Sequence, residues 1–289
     1  MAALLSPADR IRLGLRRIKR VGRKPLEVLD DLGDQLGFYG RALAWTPRTL
    51  RRYKKETMRL LAEVTFGTGA LAVIGGTVGV IAFLSFFTGT EVGLQGYSAL
   101  NQVGTSAFSG FVSAYFNTRE IAPIIAGIAL SSTVGCGFTA QLGAMRISDE
   151  IDALEVMGVP SLPFLVTTRL VAGMLAVIPL YVIGLLASFF ATRIIVTLAF
   201  GQSSGTYDHY FYLFLPPHDV LWSFGKVLVF ATLVMLIHCY YGYNASGGPA
   251  GVGVAVGRAV RTSLVVVNIV DLLMGMAIWG TTTTVRIAG

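Results

Sequence analysis

Charged side chains are scarce in this 289-residue chain: Asp, Glu, Lys and Arg make up 13% of it, and hydrophobic residues 54%. A soluble domain is usually about 25% charged, so the composition excludes an ordinary soluble enzyme. Cysteine (two) and histidine (three) are also rare, and neither has the spacing of a zinc site or a disulfide framework. The glycine-rich loop that binds ATP phosphates is absent from the sequence. The sequence therefore predicts an all-α integral membrane protein, with no catalytic or metal site visible in it.

The positive charge is concentrated at the N-terminal end. Residues 1–59 contain 15 of the 23 Lys and Arg but only 6 of the 16 acids. A basic arm before the first apolar run is typical of a cytoplasmic segment beside anionic headgroups, so no nucleic-acid partner is predicted.

Within residues 26–46, apolar side chains recur at helical spacing and end in an aromatic anchor. This pattern predicts an interfacial amphipathic helix with these anchors: Leu29, Leu32, Leu36, Tyr39, Leu43 and Trp45. A soluble amphipathic helix packed on a partner is the alternative. Pro47 is expected to end this helix.

Five apolar stretches are predicted to cross the membrane as helices, since each has about the 20 residues that a bilayer requires or more. Their predicted bounds are 64–88, 100–145, 164–198, 220–241 and 260–285. They form a membrane domain over 61–289, preceded by the basic arm and interfacial helix over 1–60. With the arm inside, the N-terminus is cytoplasmic and the C-terminus outside. If 92–118 crosses separately, every later loop changes side.

A short acidic segment follows the second predicted span. Ser148 is expected to be the N-cap of a small helix, and Gly158 fits the position that stops it. The helix dipole favours the acids of the first turn: Asp149, Glu150 and Asp152. Apolar residues recur at i, i+4, i+7 on the other face: Ile147, Ile151 and Leu154. The segment is predicted either to touch a partner in water or to lie as an ordinary loop helix on the membrane surface.

Charged residues also occur inside the apolar region. Arg119 and Glu120 directly precede 25 uncharged residues, and Asp271 lies deep in the last predicted span. An intramembrane acid is costly and often functional. The structural alternative is that neighbouring Asn268 or a threonine satisfies the Asp271 carboxylate.

These features resemble the MlaE/YrbE family of ABC-transporter permeases, which move lipids for Mce-domain systems. The family pattern opens like Arg119-Glu120-Ile121-Ala122-Pro123. It closes like Leu142-Gly143-Ala144-Met145-Arg146-Ile147-Ser148-Asp149-Glu150-Ile151-Asp152-Ala153-Leu154-Glu155-Val156-Met157-Gly158-Val159. A second similar block runs from Gly242 to Gly253, followed by Asp271. The likeness covers about residues 26–285, with an MlaE-like permease domain over 61–289.

The resemblance implies a non-catalytic permease subunit of an ABC-type lipid transporter in the bacterial inner (plasma) membrane. It implies three kinds of partner: a second related permease, a cytoplasmic ABC ATPase dimer that binds ATP and Mg, and Mce-domain substrate-binding proteins. This chain itself would bind no cofactor, and the cargo would be a phospholipid, fatty acid or mycolate-like lipid. The acidic segment would be the coupling helix seated in the ATPase, through these residues: Ile147, Asp149, Glu150, Ile151, Asp152, Leu154, Glu155, Met157 and Gly158.

Two positions in the second predicted span depart from the family pattern. Thr133 stands where relatives usually have Arg, and Gln141 where they usually have Glu. Losing only one member of a buried ion pair strands a charge at a cost of several kcal/mol. The joint loss therefore indicates that the two charges pair in relatives. A heterodimer would keep one set of charges in its other chain, as in the paired YrbE permeases of actinobacterial Mce systems.

A proton-coupled secondary transporter and an integral-membrane lipid enzyme remain alternatives. A proton-coupled transporter needs several intramembrane acids, and the sequence places only Asp271 deep in a span. A membrane enzyme needs His, Asp and Glu clustered at one membrane face, and the sequence shows no such cluster.

Overall fold

A computed structural model describes residue 30 and residues 32–66 and 76–280. The chain divides into two compact units after Ala44, and the functional boundary expected at residue 60 stays a prediction. In the first unit, residues 32–44 are helical. Three predicted anchors in it, Leu32, Leu36 and Leu43, are exposed, as an interfacial helix requires. Tyr39 is half-buried, and Leu29 lies outside the described residues.

The second unit begins with a helical stretch over 45–52 that contains Pro47. The prediction that Pro47 ends a helix is therefore wrong. Its ring fixes φ near the helical value, so the helix continues at the loss of one backbone hydrogen bond. Trp45 is half-buried, and the Arg48 guanidinium lies 5.2 Å from its ring centroid. Helix α1, Lys54–Phe66, follows.

The described residues contain no β-strand, and five of their helices are long and apolar enough to cross a membrane. The predicted all-α membrane fold is thus confirmed. The five are α2 (Thr77–Gln102), α3 (Ser106–Ile147), α5 (Leu162–Ala199), α7 (Pro217–Tyr243) and α8 (Gly248–Trp279). Two short helices connect them: α4 (Glu150–Val156) follows α3, and α6 (Ser204–Leu213) follows α5.

Two spans differ most from their predicted bounds. The first runs from Thr77 to Gln102 rather than over 64–88, because residues 64–66 end helix α1. Gly104, at φ +72°, turns the chain after Gln102. The segment 92–118 is therefore shared between α2 and α3 and does not cross on its own. The last span begins at Gly248 rather than 260, after Gly247 and Gly248 reverse the chain with positive φ; its predicted end at 285 lies outside the described residues.

Helix α3 is unusually long, with 42 residues. At 1.5 Å per residue it extends about 60 Å, roughly twice the hydrocarbon thickness of a bilayer. It contains two π-helical segments, Ser113–Ile121 and Ser131–Gly135, and α5 contains two more, Leu162–Thr167 and Ile195–Ala199. A π turn holds more residues than an α turn and often occurs at functional sites.

Small residues bring neighbouring spans close together. A Cβ atom at Gly89 of α2 would lie 2.4 Å from the backbone oxygen of Ser188 in α5. Thr192 of α5 donates its hydroxyl to the Gly89 carbonyl at 2.7 Å. Such backbone contact is a common way for helices to associate in membranes. Helices α3, α7 and α8 pack as a second group, and this group carries most of the buried polar side chains described below.

Candidate functional site

Lys226 of α7 is buried among the spans, with no exposed side-chain surface. Its ammonium group lies 2.7 Å from Asp271 Oδ1 of α8 and 3.2 Å from Glu120 Oε2 of α3. It also donates to the Arg119 carbonyl at 2.8 Å. The contacts with the Arg119 carbonyl and Glu120 are hydrogen bonds, and the contact with Asp271 is an ion pair. The predicted intramembrane acid Asp271 therefore pairs with Lys226, whereas Asn268 donates to Leu264 of its own helix.

A second ion pair lies beside the first. Arg119 Nη2 and Nε donate to Asp219 Oδ2 at 2.6 and 3.0 Å, and Trp279 Nε1 donates to Asp219 Oδ1 at 2.9 Å. The Arg119 guanidinium also lies 4.1 Å from the centroid of the Tyr115 ring, a cation–π contact. These contacts connect the start of α7 to the end of α8 through α3.

We call Arg119, Glu120, Asp219, Lys226 and Asp271 the charged cluster. It contains two cations and three carboxylates, and it borders a cavity of about 280 Å³. Arg119 and Glu120 belong to the first π-helical segment of α3. A Cβ atom at Gly275 of α8 would lie 3.4 Å from Glu120 Oε1, so the small residue lets α8 approach that carboxylate.

The same three spans hold a hydroxyl–imidazole cluster, which consists of Ser131, Thr139, His238 and Ser263. His238 Nε2 lies 3.0 Å from Ser131 Oγ, and Nδ1 lies 2.8 Å from Thr139 Oγ1. Ser131 and Ser263 are 2.7 Å apart. All four side chains are buried. Among the described residues, the hydrogen bonds of this imidazole side chain go to hydroxyl groups of α3 and α8.

The two positions that depart from the family pattern, Thr133 and Gln141, line one cavity of about 200 Å³ together with Glu63 of α1. Gln141 Nε2 donates to Glu63 Oε1 at 2.9 Å and its Oε1 accepts from Arg169 Nη2 at 3.2 Å. Arg169 is buried. The carboxamide therefore joins this buried cation to a carboxylate that α1 supplies.

An exposed ion pair lies one turn earlier on α1. Arg59 donates to Glu56 Oε1 at 2.6 Å and to Oε2 at 3.0 Å. This hydrogen bonding holds the pKa of the Glu56 carboxyl below its usual value and raises the pKa of Arg59.

Helix α4 lies at the end of the bundle where α3 finishes and α5 begins. Asp149, at φ +59°, precedes it as N-cap. The expected N-cap Ser148 instead donates to the Ala144 carbonyl at 3.0 Å, since α3 continues to Ile147. At the other end Gly158 has φ +76°, as the sequence predicts for a helix stop.

The stop of α4 is a Schellman motif. The Gly158 amide donates to the Glu155 carbonyl and the Val159 amide to the Leu154 carbonyl, each at 3.0 Å. Two further contacts hold α4 in place: Arg146 pairs with Asp152 at 2.7 Å, and Ser161 donates to Glu155 at 2.6 Å. The short helix therefore has a defined length and a fixed attachment to the spans.

The apolar face of α4 differs from the prediction. Ile151 is fully buried inside this chain and therefore not free to enter a partner's socket, whereas Leu154 is half-buried and its contact with a partner stays a prediction. Val156 and Met157 are 89% and 68% exposed, and Ile147 is 37% exposed. The acids Asp149, Glu150, Asp152 and Glu155 are also exposed. The surface that α4 offers thus has exposed acids along the helix and an exposed apolar pair at its C-terminal end.

A family model described as "Permease MlaE" matches residues 66–277. The chain belongs to the MlaE permease family. All five spans, α4 and both buried clusters of this MlaE permease lie within the matched region, except the last two residues of α8.

Relatives of this permease are of modest identity. A probable ABC transporter permease protein of Rickettsia bellii is 29% identical over 195 residues, 68% of this chain and 75% of that protein. The chloroplastic protein TRIGALACTOSYLDIACYLGLYCEROL 1 of Arabidopsis thaliana is 28% identical over 68% of this chain and 57% of its own length. The probable ABC transporter permease protein slr1045 of Synechocystis is 28% identical over 59% and 65%.

The structure of the permease groups the predicted site residues into three places. Arg119, Glu120 and Asp271 meet in the charged cluster, Thr133 and Gln141 share the cavity beside α1, and the acidic residues lie on or next to α4. Sequence reasoning missed Lys226, Asp219 and Trp279. For Lys226 a signal exists, since a lysine inside an apolar run of a predicted span is as costly as the acid that was noticed.

Proposed function

We propose that this MlaE permease is the non-catalytic membrane subunit of an ABC-type lipid transporter, and that a separate cytoplasmic ATPase dimer drives it through α4. The observation that carries the proposal is the exposed apolar pair at the end of α4, Val156 and Met157, on a short helix whose acids are also exposed. A short, rigidly capped helix at the end of two spans is suited to pass movement of a bound partner to the bundle. ATP and Mg would be bound by the partner.

Substitution of Val156 by Asp tests the coupling surface. Placing a carboxylate inside an apolar contact is costly, so ATPase activity stimulated by the permease should be lost while membrane insertion is unchanged. Val103→Asp is the matched control, because Val103 is 71% exposed in the turn between α2 and α3, at the opposite end of the spans. Normal ATPase binding and stimulation in Val156→Asp would refute the assignment.

The cargo that the proposal names is a phospholipid, fatty acid or mycolate-like lipid. Broad apolar surface supports it, since Phe87, Leu186, Phe190, Leu272 and Leu273 are all more than half exposed on the spans. One relative carries the name of a diacylglycerol galactolipid. Mce-domain proteins would deliver or receive the lipid outside. Transfer of a labelled phospholipid by the reconstituted complex, with and without its Mce-domain partner, measures this directly; ATP-independent transfer would contradict it.

The proposed arrangement places the complex in the bacterial inner membrane, with the N-terminal arm and α4 in the cytoplasm and α6 outside. Basic residues crowd the arm, as the positive-inside rule requires of a cytoplasmic segment. A C-terminal alkaline-phosphatase fusion should then be active and a green-fluorescent fusion dark. The reverse pattern would overturn the orientation.

We also propose that a related but non-identical permease completes the membrane dimer. Thr133 and Gln141 line a shared cavity in which the family's Arg and Glu are both missing, and Glu63 partly replaces the lost carboxylate. In a dimer of two copies of this chain, both subunits would lack the family's Arg and Glu. We therefore expect an interface between two different chains, without strict two-fold symmetry. Native mass spectrometry of the active complex decides it, because two copies of this chain without a second permease would exclude the heterodimer.

A proton-coupled transporter stays the second candidate, because the charged cluster contains three acids rather than the one that the sequence indicated. Each of them, however, contacts a cation within 3.2 Å, as in a structural network. Transport that persists under a proton gradient without the ATPase would favour the second candidate. Transport that requires ATP and is indifferent to the gradient would support the first.

A further inference from the structure

A cavity of about 350 Å³ opens between the end of α5 and helix α6, at the opposite end of α5 from α4. Its volume is within the range of small-molecule sites. Most of its wall is apolar and comes from both helices: Leu186, Phe189, Phe190 and Phe211. The rings of Phe189 and Phe211 meet edge to face at 5.0 Å between centroids, which fixes the distance between the two helices.

One ion pair stands in the wall of this aromatic cavity. Arg193 Nε donates to Asp208 Oδ1 at 2.9 Å and Nη2 donates to Oδ2 at 2.8 Å. These hydrogen bonds hold the pKa of the Asp208 carboxyl below its usual value, so it is charged at neutral pH. The contact uses two of the five guanidinium N–H groups. Both side chains are partly exposed, at 47% and 36%, so each presents charge to the cavity mouth.

The position of the pair along α5 matches the edge of the hydrocarbon. Between Arg169 and Arg193 lie 23 uncharged residues, which extend about 35 Å as a helix against a hydrocarbon core of about 30 Å. When this run crosses the bilayer, Arg193 reaches headgroup level. Leu186, Phe189 and Phe190 then lie within two turns of it, on the acyl-chain side.

We propose that the aromatic cavity binds one zwitterionic phospholipid. The phosphate contacts Arg193, the ammonium contacts Asp208, and the first part of an acyl chain packs on Phe189, Phe190 and Leu186. The cation and the carboxylate of the protein complement the phosphate and the ammonium of a zwitterionic headgroup. Phosphate is also a preferred partner of guanidinium. An anionic headgroup without an ammonium would leave Asp208 facing negative charge. The site is separate from α4 and the charged cluster, so it stands or falls independently of ATP-driven transport.

Native mass spectrometry of the full-length permease, released from nanodiscs with equal parts phosphatidylethanolamine and phosphatidylglycerol, tests the site. The wild-type chain should retain one phosphatidylethanolamine, with a preference of about fivefold or more, since one charge-assisted hydrogen bond is worth about that factor. Arg193→Gln should lower this retention by a similar factor. Asp208→Asn should remove the preference, because the neutral amide no longer repels phosphatidylglycerol.

Arg261→Gln is the matched control. Arg261 is also an exposed arginine in a span, but its Nε donates to its own helix at Gly257 O, and it does not line the cavity; the preference should survive. Leu186→Trp, which fills the cavity from an exposed position, should reduce retention of both lipids while the chain still elutes as a folded species. Equal retention of the two lipids by the wild type, an unchanged retention of phosphatidylethanolamine in Arg193→Gln, or a second polypeptide in place of the lipid would overturn the proposal.

Discussion

Helices α3, α7 and α8 contain two buried polar clusters of opposite composition. The charged cluster uses five ionisable side chains and borders a cavity of about 280 Å³. The hydroxyl–imidazole cluster uses three hydroxyls and one imidazole, and its members are at most 1% exposed. The two clusters draw on the same three helices, so their difference does not come from the local fold.

The cost of desolvation explains the difference. An ion loses several kcal/mol of hydration free energy on burial, and only well-placed opposite charges offset this loss. A buried hydroxyl needs just one or two hydrogen bonds to offset its own loss of hydration. In this permease three of the five charges line a cavity, namely Arg119, Glu120 and Asp271, and Glu120 keeps 38% of its side chain exposed. The sealed part between the helices carries hydroxyls instead. Part of the charged cluster is thus placed where a ligand or water has access.

The largest expected effect comes from removing the central cation. Lys226→Met leaves the Asp271 carboxylate in the membrane without its cation and should cost about 3–5 kcal/mol of unfolding free energy. Denaturation of the purified permease in detergent measures it. Arg146→Gln removes the same charge from an exposed pair with Asp152 and should cost less than about 1 kcal/mol. Equal stability of Lys226→Met and wild type would show that the cluster is not a buried ionic network.

A smaller effect is expected in the hydroxyl–imidazole cluster. Thr139→Val removes the hydroxyl beside His238 Nδ1 and should destabilise the fold by about 1–3 kcal/mol, the cost of a buried polar atom without its partner. Thr232→Val is the control, because that half-buried hydroxyl bonds only to its own helix at Leu228 O. Lipid transport per folded molecule should stay normal in Thr139→Val, and a transport defect would place this cluster on the transport path.

The cavity beside α1 offers an intermediate case. Gln141→Glu brings a second carboxylate to the 2.9 Å contact with Glu63 and should cost about 1 kcal/mol at pH 8. The double variant Glu63→Gln, Gln141→Glu exchanges the two groups and should recover the stability. A destabilised double variant would mean that the identity of each side chain, rather than their summed charge, is required.

The smallest effect belongs to the exposed pair of Arg59 and Glu56. Arg59→Gln should cost at most about 0.5 kcal/mol, and added salt should reduce the difference. Because the pKa of Glu56 is lowered in the fold, the small stabilisation is present above the unfolded pKa. It is lost as pH falls through the folded value. Unfolding free energies measured at several pH values check both statements. If Arg59→Gln lost as much unfolding free energy as Lys226→Met, the distinction between buried and exposed ion pairs would be wrong.

Much of the fold was predictable because apolar length reports directly on membrane crossing. The first span was misplaced because the last residues of α1 and the residues that follow it in the sequence are also apolar, and hydropathy alone does not show where one helix stops. For α4, the acids and Gly158 predicted a helix and its end. Which apolar residues it exposes was not predictable, because periodicity identifies a face but not whether that face meets the same chain, as Ile151 does.

The charged cluster was only half visible in the sequence. Arg119, Glu120 and Asp271 were noticed as charges in an apolar context, but their partners lie in other helices, 45 to 106 residues away along the chain, and spacing within one helix does not reveal them. The sealed cluster left no signal, since serine and threonine are common in membrane helices and usually bond to their own backbone. Sequence reasoning predicted the helices but not the contacts between them.

The π-helical segment Ser131–Gly135 sets the angular phase of the rest of α3. Every residue after it is turned by one residue's worth of rotation, about 100°, relative to an uninterrupted α-helix. The direction in which α4 leaves the bundle therefore depends on which backbone amides donate to the carbonyls of these five residues within the span. If one of those carbonyls accepts from the amide one residue nearer, the C-terminal half of α3 rotates about its axis by one residue, and α4 moves with it.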